Sequence, residues 1–168
     1  MEYTELEQLP IHPDGGRASA WRRLCVDGAV DRPLTLTAED LARLGSGEMV
    51  EDFKCEEGWV VPGQAWEGVP VSKIMSAAGP LAEARYVSFS AGGFTAVITL
   101  KEAHDATALL ALRLNGEPLP TVHGGPCRLV VAGKDCFVSV KWVDHIEVTV
   151  EQPVETAREI ALRRIGRL

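Results

Sequence analysis

Polar and apolar positions alternate in short runs along this chain, and no long periodic stretch dominates it. Residues 21–26 alternate with the two-residue period of a strand, Asp27-Gly28 reads as a turn, and residues 30–36 predict a second extended piece. Thr37-Ala38-Glu39-Asp40 then opens a short helix. The threonine hydroxyl can accept from the N3 amide, and the Asp40 charge suits a helix N-terminus. That helix runs through Leu41 and Leu44 and stops at Gly45. In the next strand Met49, Glu51, Phe53 and Cys55 share one face, with Val50, Asp52 and Lys54 on the other. Residues 56–68, EEGWVVPGQAWEG, predict a long ordered loop with Trp59 and Trp66 as a wall.

A helix is predicted over 69–78, with Pro70 in its first turn and Gly79 at its end. Residues 85–90 and 94–100 read as strands around Gly92-Gly93, and 101–105 as one helical turn. The apolar run 108–114 fits either a strand or a helix. Asn115-Gly116 is the strongest turn dipeptide. Residues 128–131 and 138–150 predict strands, and 154–165 an amphipathic helix with Val154, Ala157, Ile160, Ala161 and Ile165 near one face. Strands and short helices mix without regular βαβ alternation. The fold class is therefore α+β, with mixed β-sheets and short helices in a single domain. The expected division is an extended N-terminal segment (1–20), the domain proper (21–150) and a C-terminal helix (151–168).

At 168 residues and 18.2 kDa the chain buries enough surface to fold without disulfides or a structural metal. Its 17 basic residues against 24 acidic ones give a net charge of −7. That charge argues against a general basic face for nucleic acid and against attraction to anionic lipid. No apolar run approaches the ~20 residues of a membrane helix. The N-terminus is acidic and polar, so no secretory signal is expected and the reading is cytoplasmic. Four cysteines, Cys25, Cys55, Cys127 and Cys136, show no CxxC spacing.

Cys55 ends a strand and faces a glycine- and tryptophan-rich segment. It reads either as a thiolate that acts as nucleophile or metal ligand, or as a small buried hydrophobe at the core's edge. Glu56 and Glu57 disfavour a free thiolate, whereas a cationic metal centre reverses that logic. His123 and Arg128, with Ser139 and Lys141 beyond a glycine turn, can converge on one anion if their segments pair. Otherwise Arg128 and Lys141 are solvated strand positions. His12, His104 and His145 carry weaker signals. Dinucleotide, P-loop and nucleophile-elbow motifs are absent from the sequence.

Three segments, in order, resemble the molybdopterin-binding domain of the sulfite oxidase family. They are Asp52-Phe53-Lys54-Cys55-Glu56-Glu57-Gly58-Trp59 with Trp66-Glu67-Gly68-Val69-Pro70-Val71, then Leu114-Asn115-Gly116-Glu117-Pro118-Leu119-Pro120 with His123-Gly124-Gly125-Pro126-Cys127-Arg128-Leu129-Val130-Val131, then Ser139-Val140-Lys141-Trp142-Val143. The family's VPG turn is here Val131-Ala132-Gly133. The resemblance implies a sulfite-oxidase-type fold and a molybdenum–molybdopterin cofactor. It implies Cys55 as the protein thiolate on molybdenum, with His123, Arg128, Ser139 and Lys141 binding the pterin and its phosphate. After Val150 no immunoglobulin-like dimerisation domain is expected.

The implied activity is oxygen-atom transfer to or from a small-molecule substrate, with a separate electron-transfer partner. A cofactor-binding or carrier module without turnover is the alternative. The acidic surroundings of Cys55 favour reduction of a neutral S-oxide or N-oxide over oxidation of anionic sulfite. Arg17, Arg22, Arg23 and Lys134 are the cations that would form a positive rim and oppose that preference.

Overall fold

The computed structural model describes residues 2–11 and 21–167. Two β-sheets carry most of the chain. One contains β1 (Thr4–Glu5), β4 (Gly47–Cys55), β5 (Trp59–Pro70), β8 (Ala108–Leu114), β9 (Glu117–Pro118) and β10 (Arg128–Val131). The other runs β3 (Leu34–Leu36), β2 (Leu24–Gly28), β11 (His145–Thr149), β6 (Tyr86–Ala91), β7 (Phe94–Thr99). Pairing is antiparallel except for β1 with β5 and β11 with β2. Among the described residues four short α-helices connect or flank the sheets: α1 (Ala38–Arg43), α2 (Val71–Ala78), α3 (Leu100–His104) and α4 (Ala157–Arg164).

Local chemistry explains several boundaries. Thr37 and Asp40 form a reciprocal capping box on α1, as their spacing predicts, and Thr99 and Glu102 do the same for α3. Gly79 ends α2 at φ +67°, a left-handed position that glycine adopts without steric cost. The run 108–114 is a strand rather than a helix. Leu110 faces the main core, whereas Leu109 and Ala111 face a smaller cluster with Phe53, Val61 and Trp66. A strand buried on both faces loses the polar alternation that would have marked it.

Three predicted elements are corrected. Residues 56–68 are not a long loop: β5 begins at Trp59 and pairs with β4 in a hairpin that turns over Glu56-Glu57-Gly58. Pro62 and Gly63 hid it. The two residues oppose Asp52 alone in a β-bulge, where Gly63 takes φ +59° and donates its N–H to the Asp52 carboxylate at 3.0 Å. Residues 138–150 are not one strand. A 3₁₀ turn over Cys136–Val138 and the left-handed Trp142, φ +56°, interrupt it, leaving only β11. The C-terminal helix starts at Ala157, and Val154 is 81% exposed rather than on its packed face.

Part of the expected N-terminal segment, Met1 and residues 12–20 with His12 and Arg17 among them, falls outside the described residues. Within 2–11, Thr4–Glu5 pairs along Trp59–Val60, and this brings Leu9, Pro10 and Ile11 to the cavity described below. Among the described residues no helix is long and apolar enough to cross a membrane.

Candidate cofactor site

A cavity of about 680 Å³ opens between the end of β4, the start of β10, the 136–142 segment and α4. Cys55, His123, Arg128, Ser139 and Lys141 all line it. The strand pattern explains the placement. In β4 the odd-numbered positions point inward, so Cys55 follows Phe53 onto the buried face. In β10 Leu129 and Val131 enter the main core. Val130 faces the Phe53 cluster, and Arg128, two positions before it, lies on the same side. The Leu129 amide donates to the Val140 carbonyl at 2.9 Å and Arg128 bridges Lys141 across the chain, which sets the two cations side by side.

Arg128 is only 5% exposed. Its guanidinium lies 4.8 Å from the Phe53 ring centroid and 5.5 Å from that of Trp66, and Nη1 donates to the His123 carbonyl at 3.1 Å. Its Nε has no protein partner, nor has the buried Nδ1 of His123. Among the described residues no carboxylate pairs with Arg128 or Lys141. Burial lowers the Arg128 pKa to about 10. Burial first, then Arg128 and Arg164, lower that of Lys141 to about 8, and its Nζ donates to the Val122 carbonyl at 3.1 Å. His123 is lowered by burial and then by the same two neighbours, Lys141 and Arg128, so its ring is neutral at physiological pH. Arg128 in turn senses the Cys136 and Cys55 sulfurs. The electrostatic neighbours thus form a sequence from the thiols through Arg128 and Lys141 to Arg164.

The sulfurs of Cys55 and Cys136 lie 2.8 Å apart. Their mutual hydrogen bond, then burial, pushes the Cys55 thiol up, while that bond lowers Cys136 against the opposing effect of burial. Cys136 was not legible as a site residue, because its neighbour is 81 positions away in the chain. Arg164, Phe94, Phe137, Trp142 and Ile160 also line the cavity unforeseen. For α4 a signal existed: Ile160, Ala161 and Ile165 form the predicted apolar face, and they turn toward the cavity.

Of the two expected wall residues, Trp59 lines the cavity and donates its Nε1–H to Glu57 at 2.8 Å. Trp66 does not: alternation within β5 buries it completely in the smaller cluster. Among the cations expected at a rim, Arg17 lies outside the described residues, and Arg22 and Arg23 are exposed away from the cavity. Lys134 pairs with Glu102 at 2.5 Å. Among the described residues no three His, Cys, Asp or Glu side chains gather as a metal site. A metal here needs most of its ligands from a cofactor.

The sequence matches the oxidoreductase molybdopterin binding domain family over residues 9–157. The chain belongs to this family. As a molybdopterin-binding domain it is similar to the uncharacterized oxidoreductase YuiH of Bacillus subtilis, with 37% identity over 76% of this chain and 65% of that protein. It is also similar to MsrP, the catalytic subunit of a protein-methionine-sulfoxide reductase. The Campylobacter jejuni protein is 29% identical over 86% of this chain and 54% of its own length. The Xanthomonas axonopodis pv. citri protein is 31% identical over 79% and 46%. The chain therefore spans about half to two thirds of the length of these curated relatives. Among solved structures, the sulfane dehydrogenase SoxCD of Paracoccus pantotrophus superposes with a TM-score of 0.72 at 26% identity, covering 77% of this chain and 38% of that one. The molybdopterin-binding fold and the α+β class agree with the sequence reading.

Proposed function

We propose that this molybdopterin-binding domain catalyses oxygen-atom transfer, with reduction of a neutral S-oxide or N-oxide favoured over oxidation of sulfite. The observation that carries the reading is Arg128: a buried cation, unpaired by any described carboxylate, bordering a cavity that also holds the Cys55 thiol. A buried charge left in that state is costly unless an anion meets it.

The residues fit the cofactor. The orphaned Arg128 Nε and His123 Nδ1 supply a donor and a ring nitrogen for polar atoms that the chain does not provide. Cys55 offers one soft sulfur, which would suit a metal that the pterin also holds through sulfur. The cavity volume falls within the roughly 300–1,000 Å³ of ordinary ligand sites. When bound, the molybdenum cofactor supplies two-electron oxygen-atom chemistry. Cys55 would hold the metal, Arg128 and Lys141 would neutralise the cofactor's anionic groups, and Ser139 and His123 would bind the pterin. Phe94, Phe137 and Ile160 limit water, while Trp59, held by Glu57, offers an apolar face to a substrate. Electrons reach the site from a separate partner.

Support for the S-oxide comes from two relatives named as methionine-sulfoxide reductase subunits and from Glu56 and Glu57 beside Cys55. The test uses cofactor-loaded protein. Cys55→Ser should keep the fold, lose the sulfur-to-metal charge-transfer absorption and lose sulfoxide reduction. Full activity in that variant rejects the assignment. Bound metal without turnover of any oxo donor in the unaltered chain indicates a carrier instead.

A further inference from the structure

We infer that Cys55 and Cys136 form a reversible disulfide in the cofactor-free chain, and that this bond withholds the ligand thiol from the metal until it is reduced. The gating half of the inference rests on Cys55 being the metal ligand; the disulfide does not.

The geometry is specific. Cys55 closes β4, and Cys136 opens the 3₁₀ turn that packs against it. Two ordered elements therefore hold the sulfurs 2.8 Å apart, although 81 positions separate them. Both line the same cavity, Cys136 the more exposed, so a small molecule entering the cofactor's space reaches them. The other two thiols lack this arrangement. Cys127 is fully buried with its sulfur 3.1 Å from the Val143 carbonyl, and Cys25 lies in the other sheet.

The oxidant is a low-molecular-weight disulfide such as oxidised glutathione. One protein sulfur attacks it, giving a mixed disulfide and releasing one small thiol. The second protein sulfur attacks the mixed disulfide, forming the Cys55–Cys136 bond and releasing the other small thiol. Two electrons pass from the protein sulfurs to the small disulfide, whose S–S bond breaks, and the two thiol protons leave on the released thiols. Because the second sulfur is already in contact, the closing step is intramolecular and outpaces capture of another small molecule. The bond occupies the electron pair through which Cys55 would bind the metal. A small dithiol reverses it. A bound cofactor fills the cavity and engages Cys55, so oxidation is confined to the empty chain.

The experiment takes the full chain, prepared free of cofactor and reduced, and exposes it to oxidised glutathione. Its intact mass should fall by two hydrogens with no glutathione retained, and peptide mapping should link Cys55 to Cys136. Thiol labelling after denaturation should drop from the four cysteines of the chain to two. Cys136→Ala should form no internal link. Unchanged labelling, a stable glutathione adduct, or a link through Cys25 or Cys127 overturns the disulfide. Oxidised and reduced chains are then offered extracted molybdenum cofactor, with retained pterin read by fluorescence after desalting. The oxidised chain should retain at least roughly tenfold less, since even a partner supporting a ligand is worth that much. Dithiothreitol should restore uptake, and equal retention overturns the gate. Identical sulfur-to-metal absorption in reduced wild type and reduced Cys55→Ser rejects the ligand reading and the gate with it, while the mass shift still decides the disulfide.

Discussion

The guanidinium of Arg128 rests 4.8 Å from the centroid of the Phe53 ring, so the most buried cation of the site meets an aromatic face where a carboxylate would ordinarily stand. Together with Trp66 and one carbonyl, this contact offsets only part of the cost of burying the charge. The remaining cost makes the residue a functional liability to stability. Arg128→Met, which keeps the apolar bulk, should leave the melting temperature of the cofactor-free chain unchanged or higher. Cofactor retention should fall by about one to two decades, because charge-assisted hydrogen bonds contribute ~1.5–3 kcal/mol and ~1.4 kcal/mol is a decade. Thermal melts and pterin content on the same preparations check this. A variant that melts earlier yet retains its cofactor would make Arg128 a strut of the fold.

Lys141 gives the site a pH dependence. Its folded pKa is lowered to about 8, against ~10.4 for an unfolded lysine. Below about pH 8 both states hold the proton, and the cofactor-free chain bears the full penalty of burying the charge. Between those values the unfolded state binds more protons, so the chain's stability rises with pH and then levels off. Cofactor affinity moves the other way, because deprotonation removes a counter-charge. Lys141→Met should flatten both curves. Urea melts and pterin retention at about pH 7 and about pH 9.5 measure the two slopes, which should have opposite signs in the unaltered chain.

Gly124 governs where Lys141 sits. It takes φ +111°, and a Cβ there would lie 3.0 Å from the Cβ and Cγ of Lys141. Gly124→Ala should therefore strain the backbone and displace the ammonium, lowering cofactor retention. Gly133→Ala is the matched control, because Gly133 also has a left-handed φ, +72°, with nothing within 4 Å of its added carbon. Both variants should lose some stability, and only Gly124→Ala should lose cofactor disproportionately. Equal loss of cofactor in the two would mean that backbone strain alone is responsible.

What could be read in advance follows from the range of each interaction. The capping box of α1, the Asn115-Gly116 hairpin turn and the inward face of β4 are local patterns, and each stands in the structure as predicted. Of the five candidate residues, His123, Arg128, Ser139 and Lys141 lie in two segments whose convergence needs only the pairing of Arg128 with Lys141, whereas Cys55 reaches them through the strand order β4-β5-β8-β10. The β4–β5 hairpin escaped because Pro62 and Gly63, ordinarily loop residues, occupy a bulge that no local rule reveals. Trp66 reads as a wall only when 56–68 is taken as a loop, because the two-residue period that buries it belongs to β5. Cys136 and Arg164 are tertiary neighbours only: one depends on a 3₁₀ turn meeting the end of β4, the other on where α4 lies.

The substrate preference turns on which charges face Cys55. Glu56 and Glu57 line the cavity with Trp59, Phe94 and Phe137, and the chain as a whole stands at −7. Arg128 and Lys141 are committed to the cofactor in the proposed mechanism, leaving Arg164, among the described residues, as the exposed cation of the lining. An acidic entrance slows an approaching anion and leaves a neutral molecule unaffected. Cofactor-loaded enzyme should therefore show a higher kcat/KM for reducing a neutral methyl sulfoxide than for oxidising sulfite, with the sulfoxide rate insensitive to ionic strength. Any sulfite oxidation should quicken as salt screens the carboxylates. Glu56→Gln/Glu57→Gln should raise the sulfite rate and leave the sulfoxide rate nearly unchanged. Efficient sulfite oxidation that weakens with salt, and weakens further in Arg164→Ala, would show a cationic entrance and reverse the preference.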